Sequence, residues 1–275
     1  MKMEEEAADA IETGAPAPPR PGASAAAVET VPDFTKREFA LREWMDEPCT
    51  YADYSAAAQD LAQVNRLTRG YRPTLEFLGR VLERTKVGQE RLHVVDVGCG
   101  HGDGLREIYR WAAKRSVPLR LTGIDRNPYA ARLARECDRN ERVAAKTIAW
   151  VTGDSYGVEL ERPPDVVISS LFTHHLDDAA LVRFLRWSEE QARVGWLVND
   201  LQRSERTYRL FGWLAKLMQW HPMVAQDGPV SFRRAFSAED WQRSLGEAGV
   251  DGARVFEARP GRLCVERLKA PSGLG

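Results

Sequence analysis

The stretch that most narrows what this chain can fold into is residues 93–104, HVVDVGCGHGDG. It begins as a run of apolar, β-branched residues, the pattern of a strand buried on both faces. Glycines then stand at 98, 100 and 102, and the chain passes into DGLREIYRWAAKR, whose apolar residues recur at helical spacing. A strand that turns into a helix through closely spaced glycines is the opening of a βαβ unit. Without a Cβ the backbone can approach a ligand closely, and the helix N-terminus offers free N–H groups. A tight turn with no ligand is the plainer reading of the same residues.

The remainder extends the alternation. RLTGID, TIAWVTGD, PDVVISSLF and VGWLVND read as strands, separated by the helical patterns NPYAARLARECDRN and DDAALVRFLRWSEEQA. Strands alternating with helices predict a parallel sheet covered on both faces. An aromatic helical stretch runs from Ser204 to Trp220, and SAEDWQRSLGEAG is a Ser-capped helix. RVFEARP and LCVERLK close the set as two final strands. Ahead of the first strand, LREWMD, AAAQDLAQVNRLT and RPTLEFLGRVLERT carry helical spacing with no strand between them. The expected organisation is a disordered tail over 1–32, a helical cap over 33–88 and a main domain over 89–275, with a helical insertion at about 203–235.

Charge and cysteine usage exclude several classes. The formal net charge is -1, so nothing points to a nucleic-acid backbone or an anionic membrane as partner. The four cysteines form no CxxC pair, which reads against a zinc knuckle or a disulfide framework and fits a reducing compartment. MKMEEEAADA is acidic where a signal peptide would be basic, so a cytoplasmic protein is expected.

Asp96, Gly98, Gly100 and Gly102 form a D-x-G-x-G-x-G loop, and Asp125 ends the next strand, where an acid can hold two ribose hydroxyls. A dinucleotide fingerprint would need its third glycine at 103, which is Asp103; the spacing disfavours NAD and FAD. VVDVGCGHGDG, GIDRNP and TGDS resemble the first, second and third motifs of the class I S-adenosylmethionine-dependent methyltransferases, and the wider pattern, with the N-terminal helices, HHLDD and VNDLQRS, resembles the small-molecule type met in polyketide and phenolic secondary metabolism. The resemblance implies an α/β fold: a Rossmann-like, doubly wound, mostly parallel seven-stranded sheet with an N-terminal helical cap. It implies S-adenosylmethionine as cofactor. Gly98, Cys99 and Gly100 would meet its methionine part, with Asp96 beneath the loop near its amino end. Asp125 and Arg126 would lie at the ribose, Asp154 and Ser155 at the adenine amino group, and Ser170 on the pocket rim.

SSLFTHHLDD, residues 169–178, follows the fourth strand, and ligands of an open parallel sheet sit outside the carboxyl ends of its strands. Three roles compete for His174 and His175. They can shape the start of the helix that Asp177 and Asp178 initiate. One can act as general base toward a hydroxyl, since imidazole titrates near neutrality. Metal binding is disfavoured: adjacent histidines diverge on a regular backbone, and there is no HxxxH and no nearby cysteine pair, so no metal is expected. Asp200, at the end of the fifth strand, is a second base or substrate anchor, or else a helix cap. HPMVAQDG, from His221, reads as a loop.

The function expected is O-methylation of a small aromatic or polyketide-type hydroxyl substrate, as in antibiotic biosynthesis. Carbon methylation of a phenol- or quinone-like ring is the alternative on the same scaffold. A cofactor-binding protein without catalysis is the alternative of another class, and a homodimer is left open.

Overall fold

Why the glycine loop lies where it does follows from the strand before it. The computed structural model describes residues 32–85, 91–141, 143–144 and 147–270; the tail expected over 1–32 therefore lies almost wholly outside the described residues. Strand β1 (Leu92–Val97) is buried at every position, as a central parallel strand must be. It is flanked by β2 (Leu119–Asp125) and β4 (Val166–Ser170), both parallel to it. With β3 (Ile148–Thr152), β5 (Gly195–Leu201), β6 (Arg254–Ala258) and β7 (Arg262–Leu268), the sheet order is β3-β2-β1-β4-β5-β7-β6. Only β7 runs against its neighbours. The chain order reverses between β1 and β4, and the crevice of a doubly wound sheet opens at that point. The seven-stranded, mostly parallel sheet expected from the sequence is present.

Side chains alternate across β1 and divide the core in two. Val95 and Val97 face one layer, built from α5 (Asp178–Gln191) and α8 (Ala238–Ala248) with Leu181, Phe184, Trp241 and Leu245. Leu92 and Val94 face the other, where α2 (Arg72–Arg84) and α3 (Asp103–Ala113) contribute Phe77, Leu78, Val81, Leu105 and Ile108. The second half of the expected cap is thus part of the sheet's own cover. The physical reason is α2's strongly amphipathic spacing, which sets three large apolar residues on one stripe.

A separate helical layer lies over the carboxyl ends of the strands. It joins α1 (Tyr51–Leu67), α6 (Glu205–Met218) and α7 (Pro222–Arg234) through Ala57, Val64, Ala215, Trp220, Met223 and Val224. The HPMVAQDG segment, read as a loop, is the first half of α7. Pro222 suits the first helical turn, and the His221 ring accepts the Met223 N–H at 3.3 Å. LREWMD yields only one 3-10 turn, Trp44–Asp46. Its Trp44 and Met45 N–H groups donate to the Asp227 carboxylate of α7 at 2.8 and 2.9 Å.

Phe77 is fully buried between α2 and the sheet. Phe77→Ala is expected to cost about 3–5 kcal/mol of unfolding free energy, the usual range for a buried Phe. Urea denaturation followed by circular dichroism measures it. A loss below about 1 kcal/mol, a typical surface-like value, would place α2 outside the core.

Candidate active site

The carboxyl ends of β1, β2, β3 and β4 open on one cavity of about 690 Å³, roofed by α1 and the Trp44–Asp46 turn. That size lies in the range of small-molecule sites. The glycine loop forms its floor. Gly98 holds φ at +70°, and a Cβ there would come within 2.5 Å of the Phe172 ring, so only glycine fits. Gly100, at φ +53°, has nothing within 4 Å of its ideal Cβ position. Its bare Cα therefore faces open space, which a side chain would otherwise take.

Asp125 braces the loop. One carboxylate oxygen accepts the Gly100 N–H at 2.8 Å, and the other accepts the Asn127 N–H at 2.8 Å. Burial raises its pKa, against the pull of these hydrogen bonds. Asp96 lies under the loop with Oδ1 buried and without a hydrogen-bond partner. Burial pushes its pKa well above the usual carboxylate range, and the nearby Asp103 and Asp125 add to the rise. Such an orphaned acceptor on a cavity wall suits a ligand ammonium, as the amino end of S-adenosylmethionine would supply. Cys99 is buried on the same wall, its side chain against Gly123. Asp154 receives Arg126 at 2.6 Å and the Tyr156 N–H at 3.1 Å, with Ser155 beside it on the cavity wall. Ser170 donates to the Asn199 carbonyl at 3.3 Å and also lines the cavity.

After β4 the chain bends sharply at Leu171, whose φ of +53° is costly for a branched residue. The bend leads into a 3-10 turn, Thr173–His175. Here Asp200 accepts four donors: the Thr173 hydroxyl, the His174 N–H at 3.0 Å, His174 Nδ1 at 2.7 Å and the Leu201 N–H at 2.7 Å. Burial alone would raise its pKa, but His174 and the hydrogen bonds hold it well below the carboxylate range. Asp200 and His174 are 1% and 2% exposed and do not line the cavity, whereas His175 does. Of the three residues singled out for chemistry, one faces the ligand space and two stand behind it.

The expected divergence of the two histidines does not occur. Their ring centroids are 4.3 Å apart. Each ring is turned by its own carboxylate: His174 by Asp200, and His175 by Asp46, which lies 3.0 Å from Nδ1. Both Nε2 atoms end 3.7 Å from an oxygen of Glu43. Burial lifts the Glu43 pKa to about 7, against His175 and Arg234. Asp46 sits well below the carboxylate range, since His175 and Arg234 outweigh its burial. Glu43, Asp46 and Arg234 were not foreseen as site residues. They stand far from the HH pair in the chain, and no local pattern links them to it. Arg66 and Arg69 do not line this cavity, while Asn65 does.

Asp125→Ala removes a charged acceptor from the cavity wall and the brace of Gly100. The affinity for S-adenosylhomocysteine should fall by tenfold or more, about 1.5–3 kcal/mol. Isothermal calorimetry reads this directly, and unchanged affinity would remove Asp125 from the ligand site.

Residues 94–194 match the sequence model of the methyltransferase domain family. No curated protein sequence matches the chain. Among solved structures, a provisionally assigned O-methyltransferase from Nostoc punctiforme is 16% identical with a TM-score of 0.53, covering 78% of this chain and 60% of its own. This chain therefore spans less than two thirds of that protein. The plantazolicin methyltransferase BpumL, in complex with a triazolic desmethylPZN analogue and S-adenosylhomocysteine, is 14% identical with a TM-score of 0.57, covering 79% of this chain and 96% of its own. The C-methyltransferase domain of the citrinin polyketide synthase is 13% identical with a TM-score of 0.51, covering 72% and 52%. At these identities the structures share a fold with this chain. Residues 94–194 thus match a methyltransferase domain, and the chain has the fold of solved S-adenosylmethionine-dependent methyltransferases.

Proposed function

We propose that this protein methylates a hydroxyl oxygen of a small aromatic or polyketide-type molecule of secondary metabolism. The observation that carries the reading is the composition of the cavity. One end is the glycine loop with Asp96 and Asp125; the other is a polar corner of His175 and Asp46 beside Tyr54, Leu61, Leu171 and Leu176. When bound, S-adenosylmethionine supplies an electrophilic methyl group.

The chain's own residues do the rest. Asp96 holds the ammonium, Asp125 the ribose, and Asp154 with Ser155 the adenine edge. His175 meets the acceptor hydroxyl, and His174 and Asp200 support it from behind. The apolar walls exclude water and accept a flat ring. Phenols have pKa values near 10, so alignment of oxygen, methyl and sulfur contributes more than a strong base would. The Ser169–Phe172 segment lacks the Asn/Asp-Pro-Pro-aromatic tetrad of amine-methylating relatives, which favours an oxygen or carbon acceptor.

Methylation of a ring carbon is the second reading. The same corner can hold a phenol whose ortho carbon attacks, and the fold is shared with a polyketide C-methyltransferase domain. The experiment is incubation with methyl-labelled S-adenosylmethionine and a panel of phenols and hydroxylated polyketides. The expected product carries one new methyl whose carbon shift is that of an O–CH3 group; a C–CH3 signal would select the second reading. His175→Ala is expected to lower turnover by roughly 10²-fold or more while S-adenosylhomocysteine affinity stays nearly unchanged. Wild-type turnover in that variant would remove His175 from the acceptor end.

A further inference from the structure

The polar corner holds more than a positioned histidine. We propose that Glu43, His174 and His175 form a binding site for a first-row divalent transition-metal ion such as zinc or iron(II), opening onto the acceptor end of the cavity. His174 Nε2 lies 3.7 Å from Glu43 Oε1, and His175 Nε2 lies 3.7 Å from Glu43 Oε2. That distance is too long for a hydrogen bond. It is close to the spacing of two atoms that share an ion, since ligands about 2.1 Å from a tetrahedral centre lie roughly 3.4 Å apart. One ligand atom from each of the three residues lies within 4.8 Å of the others, so modest side-chain rotation closes the set.

The surroundings have the form a metal centre needs. Each imidazole engages a carboxylate through Nδ1, His174 with Asp200 at 2.7 Å and His175 with Asp46 at 3.0 Å. The hydrogen bond to Asp200 fixes the His174 tautomer that leaves Nε2 free to bind an ion, and the Asp46 carboxylate stands beside His175 Nδ1 without hydrogen-bond geometry; an acid behind a histidine ligand is the usual support. Glu43 is 4% exposed, and its Oε1 is buried without a hydrogen-bond partner. Arg234 Nη1 is 3.4 Å from that oxygen but donates to Asp46 at 2.8 Å. Glu43, Asp46 and Asp200 thus gather three carboxylates around the two rings, with Arg234 the guanidinium that bridges Glu43 and Asp46. Asp200 and Asp46 are matched by hydrogen bonds and by Arg234, which leaves Glu43 Oε1 as the buried carboxylate oxygen without a hydrogen bond, and a dication would fill that place. Two imidazoles and one carboxylate suit zinc or iron rather than magnesium or calcium, which favour oxygen-only sites.

Three protein ligands leave a position open, and His175 lies on the cavity wall. The role of the ion rests on the methyl-transfer reading above. A coordinated acceptor hydroxyl becomes more acidic and releases its proton to bulk solvent as it binds. Its oxygen then forms the bond to the methyl carbon as the carbon–sulfur bond breaks, with the electron pair leaving on sulfur.

The test uses full-length protein stripped with a chelator and titrated with Co²⁺, read by visible d–d absorption, with Zn²⁺ as competitor. One equivalent of Co²⁺ should produce a saturable band that Zn²⁺ abolishes. Glu43→Gln and His175→Gln, each checked for folding by circular dichroism, should weaken uptake by roughly 100-fold or more, since even losing a residue behind a ligand costs about 10–100-fold. Asp125→Ala should take up Co²⁺ like the wild type while losing S-adenosylhomocysteine, which separates the two sites. No saturable uptake by the wild-type protein overturns the metal site, as does uptake undiminished in both ligand variants. If S-adenosylhomocysteine still binds in that case, the metal site fails and the methyltransferase reading stands.

Discussion

The site is organised around one buried carboxylate. Asp200, at the end of β5, accepts four hydrogen bonds from the Thr173–His175 turn and from Leu201. A carboxylate that deep is tolerable only when its lone pairs are filled and a cationic or polar partner touches it. Meeting that condition fixes the turn after β4, orients the His174 ring and holds the bend at Leu171. Because the turn is fixed, the N-terminal segment has a surface to dock on, and Glu43 and Asp46 are brought to the two rings.

A second carboxylate holds the other side of the same corner. Asp227 of α7 receives the N–H groups of Trp44 and Met45 and so sets the one-turn helix that carries Asp46. Arg234, at the end of α7, bridges Asp46 and Glu43. Polar contacts thus tie the Trp44–Asp46 turn to α7, while the helices of the roof are joined to each other by an apolar cluster. Charges in such a place are retained at a cost, which suits a corner that handles a reacting group better than one that only adds stability.

The fold was legible because its signals are local. The buried strand of β1, the glycines that follow and the helical spacing of α3 fall within one short stretch, and each strand–helix pair repeats the logic. The Ser-capped start of α8 was equally plain; Ser237 and Asp240 form the reciprocal cap. Besides LREWMD, which forms only a single 3-10 turn, two further local readings missed. HPMVAQDG carries Pro222 and Gly228, with Pro229 just after it, and reads as loop, yet the segment is helical, with Ala225 N–H donating to the His221 carbonyl. The divergence argued for adjacent histidines holds on a regular backbone, and the chain between Leu171 and Leu176 is not regular.

The sequence by itself determined the parallel sheet, the glycine loop at the carboxyl end of β1 and the acids beside that loop, because residues near in the chain carry each of them. Only the tertiary structure decided which of His174, His175 and Asp200 meets the cavity, because strand register and helix packing set depth, and depth is not written in local spacing. It also decided that Glu43 and Asp46 join the two histidines. They arrive across more than 120 residues of chain, through the hydrogen bonds of Asp227 and the ion pairs of Arg234. Contacts of that range depend on the folded surfaces being present first, and no pattern within either segment announces them.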